Sequence, residues 1–457
     1  MSQRQSGLEF EFLAVQKENG EAITRPIVKE LWKAWGKKKG VTTYYDVATK
    51  QPVGVKYIDR KGREVIVNTD AGVDVIEFGF MPHATLQECE QDAHVVMRDF
   101  MSVASRFGVV LLDLGLQPKT PYHFPDLKSE KIWYRGFPRI LRVGHDMFHN
   151  IAAHQPCIDV SPEESLDALN TFNALAPCFI ALCANSGVGE WEFQTYHEVR
   201  EKRWDIFAQA NNLPQISGIP VKPFSSWEDY LRYNWSIPVL SVHRGKTLHV
   251  IPSNPTIAEF LKSNRTWKTM DVLGWGPSSV RPDMSDVNSL NQYIWIQARL
   301  KYFFDESRPL KELLTACSRG KAFEYLKKHH TKLYIETRCC ASQPWNEKMA
   351  WPALLLGLIE NLQAAKKVAA SKPWSMWRKL RTEAYTRSME VKELHTPIAQ
   401  LIEVSTEGLR SRGFGEERYL KPLAVRLARK ESPAMRARKE WKALGVERYT
   451  RKHCIAL

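Results

Sequence analysis

Residues 8–15 read Leu-Glu-Phe-Glu-Phe-Leu-Ala-Val, an alternation that puts Leu8, Phe10 and Phe12 on one face of a strand and Glu9 and Glu11 on the other. Two carboxylates two residues apart on one strand face repel each other when ionised. A fold keeps such a pair where the face is solvated or where a cation sits between the two groups. The opposite, aromatic face demands burial, so this strand has one side committed to a core and one side free for chemistry.

Other acids repeat the theme. In Val75-Ile-Glu-Phe-Gly, Glu77 lies among apolar, strand-forming neighbours; in Lys332-Leu-Tyr-Ile-Glu-Thr-Arg338, Glu336 and Arg338 share a face. That second pair offers a hard oxygen ligand beside a guanidinium suited to phosphate or carboxylate, or else a plain cross-strand ion pair. Between the strands the sequence predicts helices. Thr85 and Glu88 form a capping box opening a helix that ends at Gly108, and Ser161-Pro-Glu-Glu164 opens a long apolar helix through Asn185 that Pro177 should kink. A strand over Val109–Leu116 follows the first of these. Residues 216–261 read as Pro-rich and strand-like, whereas 285–330 and 349–457 read mostly as helix around the Lys332–Arg338 strand. There is no internal repeat, Walker loop, GxGxxG, HExxH or GxSxG motif, so any nucleotide chemistry rests on acids and arginines rather than on a glycine-rich phosphate cradle.

Composition bears on size, location and partners. The 457 residues allow roughly two to four domains, or one large enzyme domain with appendages. The eight cysteines contain no CxxC pair, and two lie in an apolar helical run, the pattern of reduced thiols in a cytoplasmic protein. The N-terminus has no apolar leader core, and the longest apolar stretch, 174–184, is too short to span a bilayer. Of the net charge of +14, a net +8 falls between residues 421 and 452. That stretch is a helical basic surface able to grip RNA, an acidic carrier protein or anionic lipid, or more simply a solvated helix face. His145, His149 and His154 read as polar or core histidines, with only the first two placed to share a helix face.

A family resemblance joins these pieces. It is carried, in order, by Gly7 to Val15, Asp70-Ala-Gly-Val-Asp-Val-Ile-Glu-Phe78, Leu112-Asp-Leu-Gly-Leu-Gln-Pro118, Gln155-Pro-Cys-Ile-Asp-Val160, Pro177 to Ser186, Arg203-Trp-Asp-Ile-Phe207, Trp227-Glu-Asp-Tyr230, Tyr334-Ile-Glu-Thr-Arg338, Pro352 to Leu358 and Gly408 to Leu420. These blocks resemble those of glutamate–cysteine ligases of the plant and bacterial class and of related carboxylate–amine ligases. The resemblance implies an α+β, glutamine-synthetase-like fold: a curved antiparallel β-sheet cup covered by helices, with a helical C-terminal region. The spread of blocks implies one continuous catalytic domain, residues 1–420, and a basic helical tail, 421–457.

It also implies a reaction. ATP phosphorylates the side-chain carboxylate of glutamate, and an amine, cysteine's in the first place, displaces phosphate to leave an amide. Another amino acid, amine or carrier-bound acceptor is the alternative within this chemistry; a binding protein that kept the cup without turnover is the alternative outside it. By motif position, Glu9, Glu11, Glu77 and Glu336 are the ligands of two or three Mg²⁺ ions, Arg338 and Arg203 contact phosphate or substrate carboxylate, and Gln155 with Arg338 belongs to the ATP site. Two departures stand out. Cys157 occupies the place of a family imidazole or amide and is a poor Mg²⁺ ligand, which leaves either His154 as its substitute or one metal fewer. Ser186-Gly-Val-Gly189 and the segment through Arg200 depart near the amino-acid substrates' place in the family.

Overall fold

The alternating N-terminal segment is β1 (Ser6–Gln16), the middle of a nine-stranded antiparallel sheet. The structure, a computed structural model, describes residues 3–456 except 60, 137, 139, 140, 190–194, 274 and 275. Along the chain follow β2 (Val41–Tyr45), β3 (Pro52–Ile58), β4 (Glu64–Thr69), β5 (Val75–His83), β6 (Val109–Leu112) and β7 (His154–Asp159). A short β8 (Ser217–Gly218) precedes a meander of β9 (Val242–Arg244), β10 (Thr247–Val250), β11 (Trp267–Asp271) and β12 (Pro277–Val280). Last come β13 (Trp295–Ile296), β14 (Ala298–Phe304) and β15 (His330–Thr337). The main sheet runs β14-β15-β7-β1-β5-β4-β3-β2, with β6 pairing the last four residues of β1 where β7 has let go.

Leu8, Phe10 and Phe12 are buried on the outer face of this sheet, as their alternation requires. Phe12 meets Phe78 edge-on with ring centroids 6.1 Å apart, and Phe78 in turn meets Phe100 of the helix Leu86–Ala104 at 5.5 Å. Each such fully buried aromatic contributes about 1.5–3 kcal/mol of transfer free energy, which is what holds helices against this side. The capping box at Ser161 is complete, and its helix, Pro162–Cys183, continues through Pro177. Among the described residues it is the one helix apolar and long enough to cross a membrane, and it is a core helix here, buried against β14 and β15.

Two expectations are corrected. Residues 216–261 carry the helices Trp227–Asn234 and Ile257–Lys262 as well as strands, because the capping residues Ser226 and Thr256 start helices there. Residues 285–330 include β14, an edge strand of the main sheet; its alternation of Arg299, Lys301 and Phe303 against Leu300, Tyr302 and Phe304 was the available sign.

In the C-terminal region, the helices Ala350–Glu360 and His395–Arg412 cross at Gly357 and Gly408. A Cβ on Gly408 would stand 2.0 Å from the Gly357 carbonyl oxygen, so only hydrogen fits. Gly408→Ala is therefore expected to cost about 2 kcal/mol through forced separation of the helices, read as a lowered denaturant midpoint. The basic helices Lys421–Arg429 and Pro433–Lys452 join the same body. Arg426 is buried and donates to the Leu182 carbonyl (3.0 Å) and Gln343 (2.7 Å), and Tyr449 packs with Leu13, Val15 and Leu112. Part of the tail's charge is thereby used in packing, while Arg429, Lys430, Lys439 and Lys442 stay exposed.

Candidate active site

The concave face of the sheet encloses a cavity of about 550 Å³. Pairing register decides what lines it. Glu11 lies directly opposite Glu77 across β1 and β5, Glu9 opposite Gln155 across β1 and β7, and Glu336 opposite Cys157 across β15 and β7. Glu9, Glu11, Glu77, Glu336, Gln155 and Arg338 all line the cavity, so six residues from four separate sequence blocks converge. Arg203 is not brought there. It is buried behind the wall, donating to the Met147 carbonyl (2.7 Å) and to Asn150 (2.6 Å), while Trp204 beside it faces the cavity.

A hydrogen-bonded chain crosses the cup floor. Glu11 accepts from the Ala153 backbone N–H and from the Gln155 amide, each at 2.6 Å. Gln155 in turn accepts from Arg338, and Arg338 donates to Glu336 at 2.6 Å. Arg299 Nη2 reaches both Glu336 oxygens, at 2.8 and 3.0 Å. Arg200, from the divergent segment, donates to the Arg338 carbonyl (3.0 Å) and so steadies that residue's backbone.

The two ends of this chain differ in charge balance. Burial, then Glu77 and Glu336, push the Glu9 carboxyl up to about 8, and burial, then Asp70 and Glu77, push Glu11 well above the usual carboxylate range. Glu77 is likewise raised by burial, against the pull of Lys131. At Glu336 burial is overcome by Arg299, Arg338 and Lys301, which together hold its carboxyl far below the usual range. Lys301 is lowered to about 7 by burial and then by Arg299. One half of the cup thus has carboxylates short of positive charge; the other has a carboxylate saturated by it.

Three carboxylates on one face, two of them directly opposed, are costly unless a cation joins them. Their oxygens are hard donors of the kind Mg²⁺ takes. The donor set Glu9, Glu11 and Glu77 therefore fits a divalent ion. Cys157 adds nothing to it: burial, then Glu9 and Glu336, push its thiol well above 9, the Sγ lies 3.9 Å from the Gln155 carbonyl, and a neutral thiol is no ligand for a hard cation. Nor does His154 substitute. As strand neighbours of opposite facing, His154 and Gln155 point to opposite sides, and the His154 ring packs 4.7 Å from Phe10 in the outer core.

Several lining residues had no sequence forecast: Arg299 and Lys301 on β14, Lys131, Tyr134, and an aromatic wall of Trp133, Trp204, Tyr293 and Trp295. Trp204 stacks between Phe148 (4.1 Å) and Trp295 (5.3 Å). Asp70, loosely placed by its motif, lines the cavity and accepts from the Tyr134 hydroxyl at 2.6 Å. His145 lines the cavity against Trp295, while His149 turns away to the Tyr122 carbonyl (3.2 Å).

An antiparallel cup with clustered acids facing paired arginines suits phosphoryl transfer of the kind that ATP-dependent carboxylate–amine ligases carry out, and comparison with known proteins assigns that class. The sequence profile of glutamate-cysteine ligase family 2 matches residues 5–442, and the chain belongs to that family. The chain is 21% identical over 373 residues to glutamate–cysteine ligase A, chloroplastic, of Oryza sativa subsp. indica, covering 79% of this chain and 67% of the relative. It is 22% identical over 364 residues to the chloroplastic enzyme of Nicotiana tabacum, covering 75% and 60%. The match thus spans about two thirds of these relatives' length. Among solved structures, the glutamate–cysteine ligase of Francisella tularensis in complex with AMP superposes with TM-score 0.50 at 12% identity, covering 99% of this chain and 87% of that one. The bifunctional glutathione synthetase of Pasteurella multocida gives TM-score 0.50 at 11% identity, covering 99% and 51%. At such identities these two structures speak for the fold.

Proposed function

We propose that the protein joins the side-chain carboxylate of glutamate to an amine, with the α-amino group of cysteine as the first candidate acceptor, at the expense of ATP. The carrying observation is the split cavity: Glu9, Glu11 and Glu77 short of positive charge on one side, Arg299 and Arg338 gathered on Glu336 on the other. Two or three Mg²⁺ ions, held by the acid half, would screen the phosphate chain and polarise the transferring phosphoryl group. Arg338, held by Glu336 and Gln155, and Arg299, held by Glu336, are the donors for the phosphoryl oxygens, where charge is spread during transfer. The substrate carboxylate oxygen attacks the terminal phosphorus and ADP leaves. The amine nitrogen then attacks the acyl carbon and inorganic phosphate leaves, with one proton lost from nitrogen. The wall of Trp133, Trp204, Tyr293 and Trp295 keeps water from the acyl phosphate.

That wall also favours a second reading of the acceptor, since four aromatic rings offer room and surface to an amine larger than cysteine. Mass spectrometry of products after incubation with ATP, Mg²⁺, glutamate and a pool of amino acids and amines decides between them. The expected result is one γ-glutamyl amide formed in step with ADP and phosphate. No nucleotide binding and no product across the pool would end the ligase reading. All eight cysteines are unbridged, which supports a reducing compartment such as the cytoplasm.

A further inference from the structure

Protein cations are unevenly spread around the cavity. Of the lining Lys and Arg residues, Arg299 and Lys301 come from β14 and Arg338 from just beyond β15, whereas Lys131 alone among the described ones stands on the Glu77 side. Its ammonium donates to the Asn68 side-chain oxygen. The Asn68 amide donates to Glu77 at 3.2 Å, and the two residues are register partners across β4 and β5. Lys131 therefore rests on a neutral amide, one residue removed from the acids whose charge it offsets.

The segment that delivers it is fastened along its length. Val73 N–H donates to the Leu127 carbonyl (2.7 Å) and Ser129 N–H to the Ala71 carbonyl (3.2 Å). Ile132 N–H donates to Asp46 (3.0 Å) and the Tyr134 hydroxyl to Asp70 (2.6 Å). With the backbone pinned on both sides, what can move is the lysine side chain, a compact charge on a flexible four-carbon stem. A divalent ion on Glu9, Glu11 and Glu77 would repel that charge. A nucleotide's phosphate chain in the same cavity would attract it.

We propose that Lys131 is an exchangeable counter-charge: in the empty cup it stands in for the divalent ion beside Asn68 and Glu77, and when an ion takes the carboxylates it turns to the phosphate chain. The proposal rests on the ligase reading for its nucleotide half and on the cup's acids alone for its ion half. Two measurements on the full chain test it: Mn²⁺ binding followed by electron paramagnetic resonance without nucleotide, and calorimetric binding of a non-hydrolysable ATP analogue in the presence of Mn²⁺. Lys131→Met is expected to tighten Mn²⁺ binding about tenfold, equivalent to about 1.4 kcal/mol, and to weaken analogue binding by a similar factor. Lys131→Arg restores both. Lys268→Met, an exposed position on β11, changes neither and so controls for net charge. Melting curves confirm that each variant folds. Mn²⁺ affinity unchanged or weakened in Lys131→Met overturns the counter-charge. Wild-type protein that binds no analogue overturns the nucleotide half together with the ligase reading, whereas both shifts in a protein that forms no amide leave the counter-charge standing and remove only the ligase reading.

Discussion

Glu11→Gln is expected to lower turnover by about 10³-fold or more while leaving the empty protein as stable as the parent or more so. The two halves of that outcome share one cause. Glu11 accepts from both the Ala153 N–H and the Gln155 amide, and its opposite strand partner is another carboxylate, the half-buried Glu77. A glutamine keeps one acceptor oxygen and presents an amide donor to the second of these groups, so Gln155 loses the contact that aligns it with Arg338. The negative charge that would hold an ion is gone as well. In the absence of ions, however, the same substitution relieves repulsion between two carboxylates that face each other across paired strands. Initial rates of ADP release and scanning calorimetry without metal measure the two effects. A variant with wild-type turnover would place the ion site elsewhere in the cup.

This pairing shows why part of the site could be read from the chain and part could not. Glu9 and Glu11 are visible because a strand with one aromatic face has its other face determined, and nothing buries two acids on the determined face without a reason. Glu77 and Glu336 follow the same logic. The convergence of the four onto one concave face is a matter of register, which the sequence order of the blocks implied through family resemblance rather than through spacing. Gln155 and Cys157 share that face for the same reason that His154 does not.

Arg203 shows the limit of motif transfer. On a helix, neighbouring residues point about 100° apart, so the block that carries Arg203 and Trp204 can present only one of them to the cavity, and the packing of Trp204 between Phe148 and Trp295 selects the tryptophan. Arg299 and Lys301 are hard to place from the sequence although their alternation is plain, because β14 lies between the helical segments Met284–Leu290 and Leu310–Ser318. Lys131 and Tyr134 carry no local sign at all. They reach the acids through a path fixed by tertiary hydrogen bonds to Asp46, Ala71 and Val73. Charge balance in the cup is therefore legible only in the structure, since Lys131 arrives by a route that no periodicity marks, and the alternation of Arg299 and Lys301 does not by itself say which cavity their face lines.

That balance makes ion binding steeply pH-dependent. Glu9 keeps its proton up to about 8, by burial first and then by Glu77 and Glu336, and Glu11 is likewise raised, by burial, then Asp70 and Glu77. Protons and the divalent ion compete for the same oxygens, so affinity falls as pH falls and rises as pH rises. From Glu9 alone, the apparent dissociation constant is expected to be about 50-fold larger at about pH 6 than at about pH 8. Lys301, lowered to about 7 by burial and then by Arg299, acts in the same direction, because on acidification it gains a positive charge close to Glu9. Calorimetric titration with Mn²⁺ in two buffers of different ionisation enthalpy counts the protons released, and about one or more per ion is expected near pH 7. Glu9→Gln should make the dependence shallower by the share of that one proton, since its amide has none to give up, and leave the share of Glu11 and Lys301. An affinity that stays level between those pH values, with no proton release, would mean that the carboxylates are already ionised in the empty cup and that their burial is offset by something other than the ion.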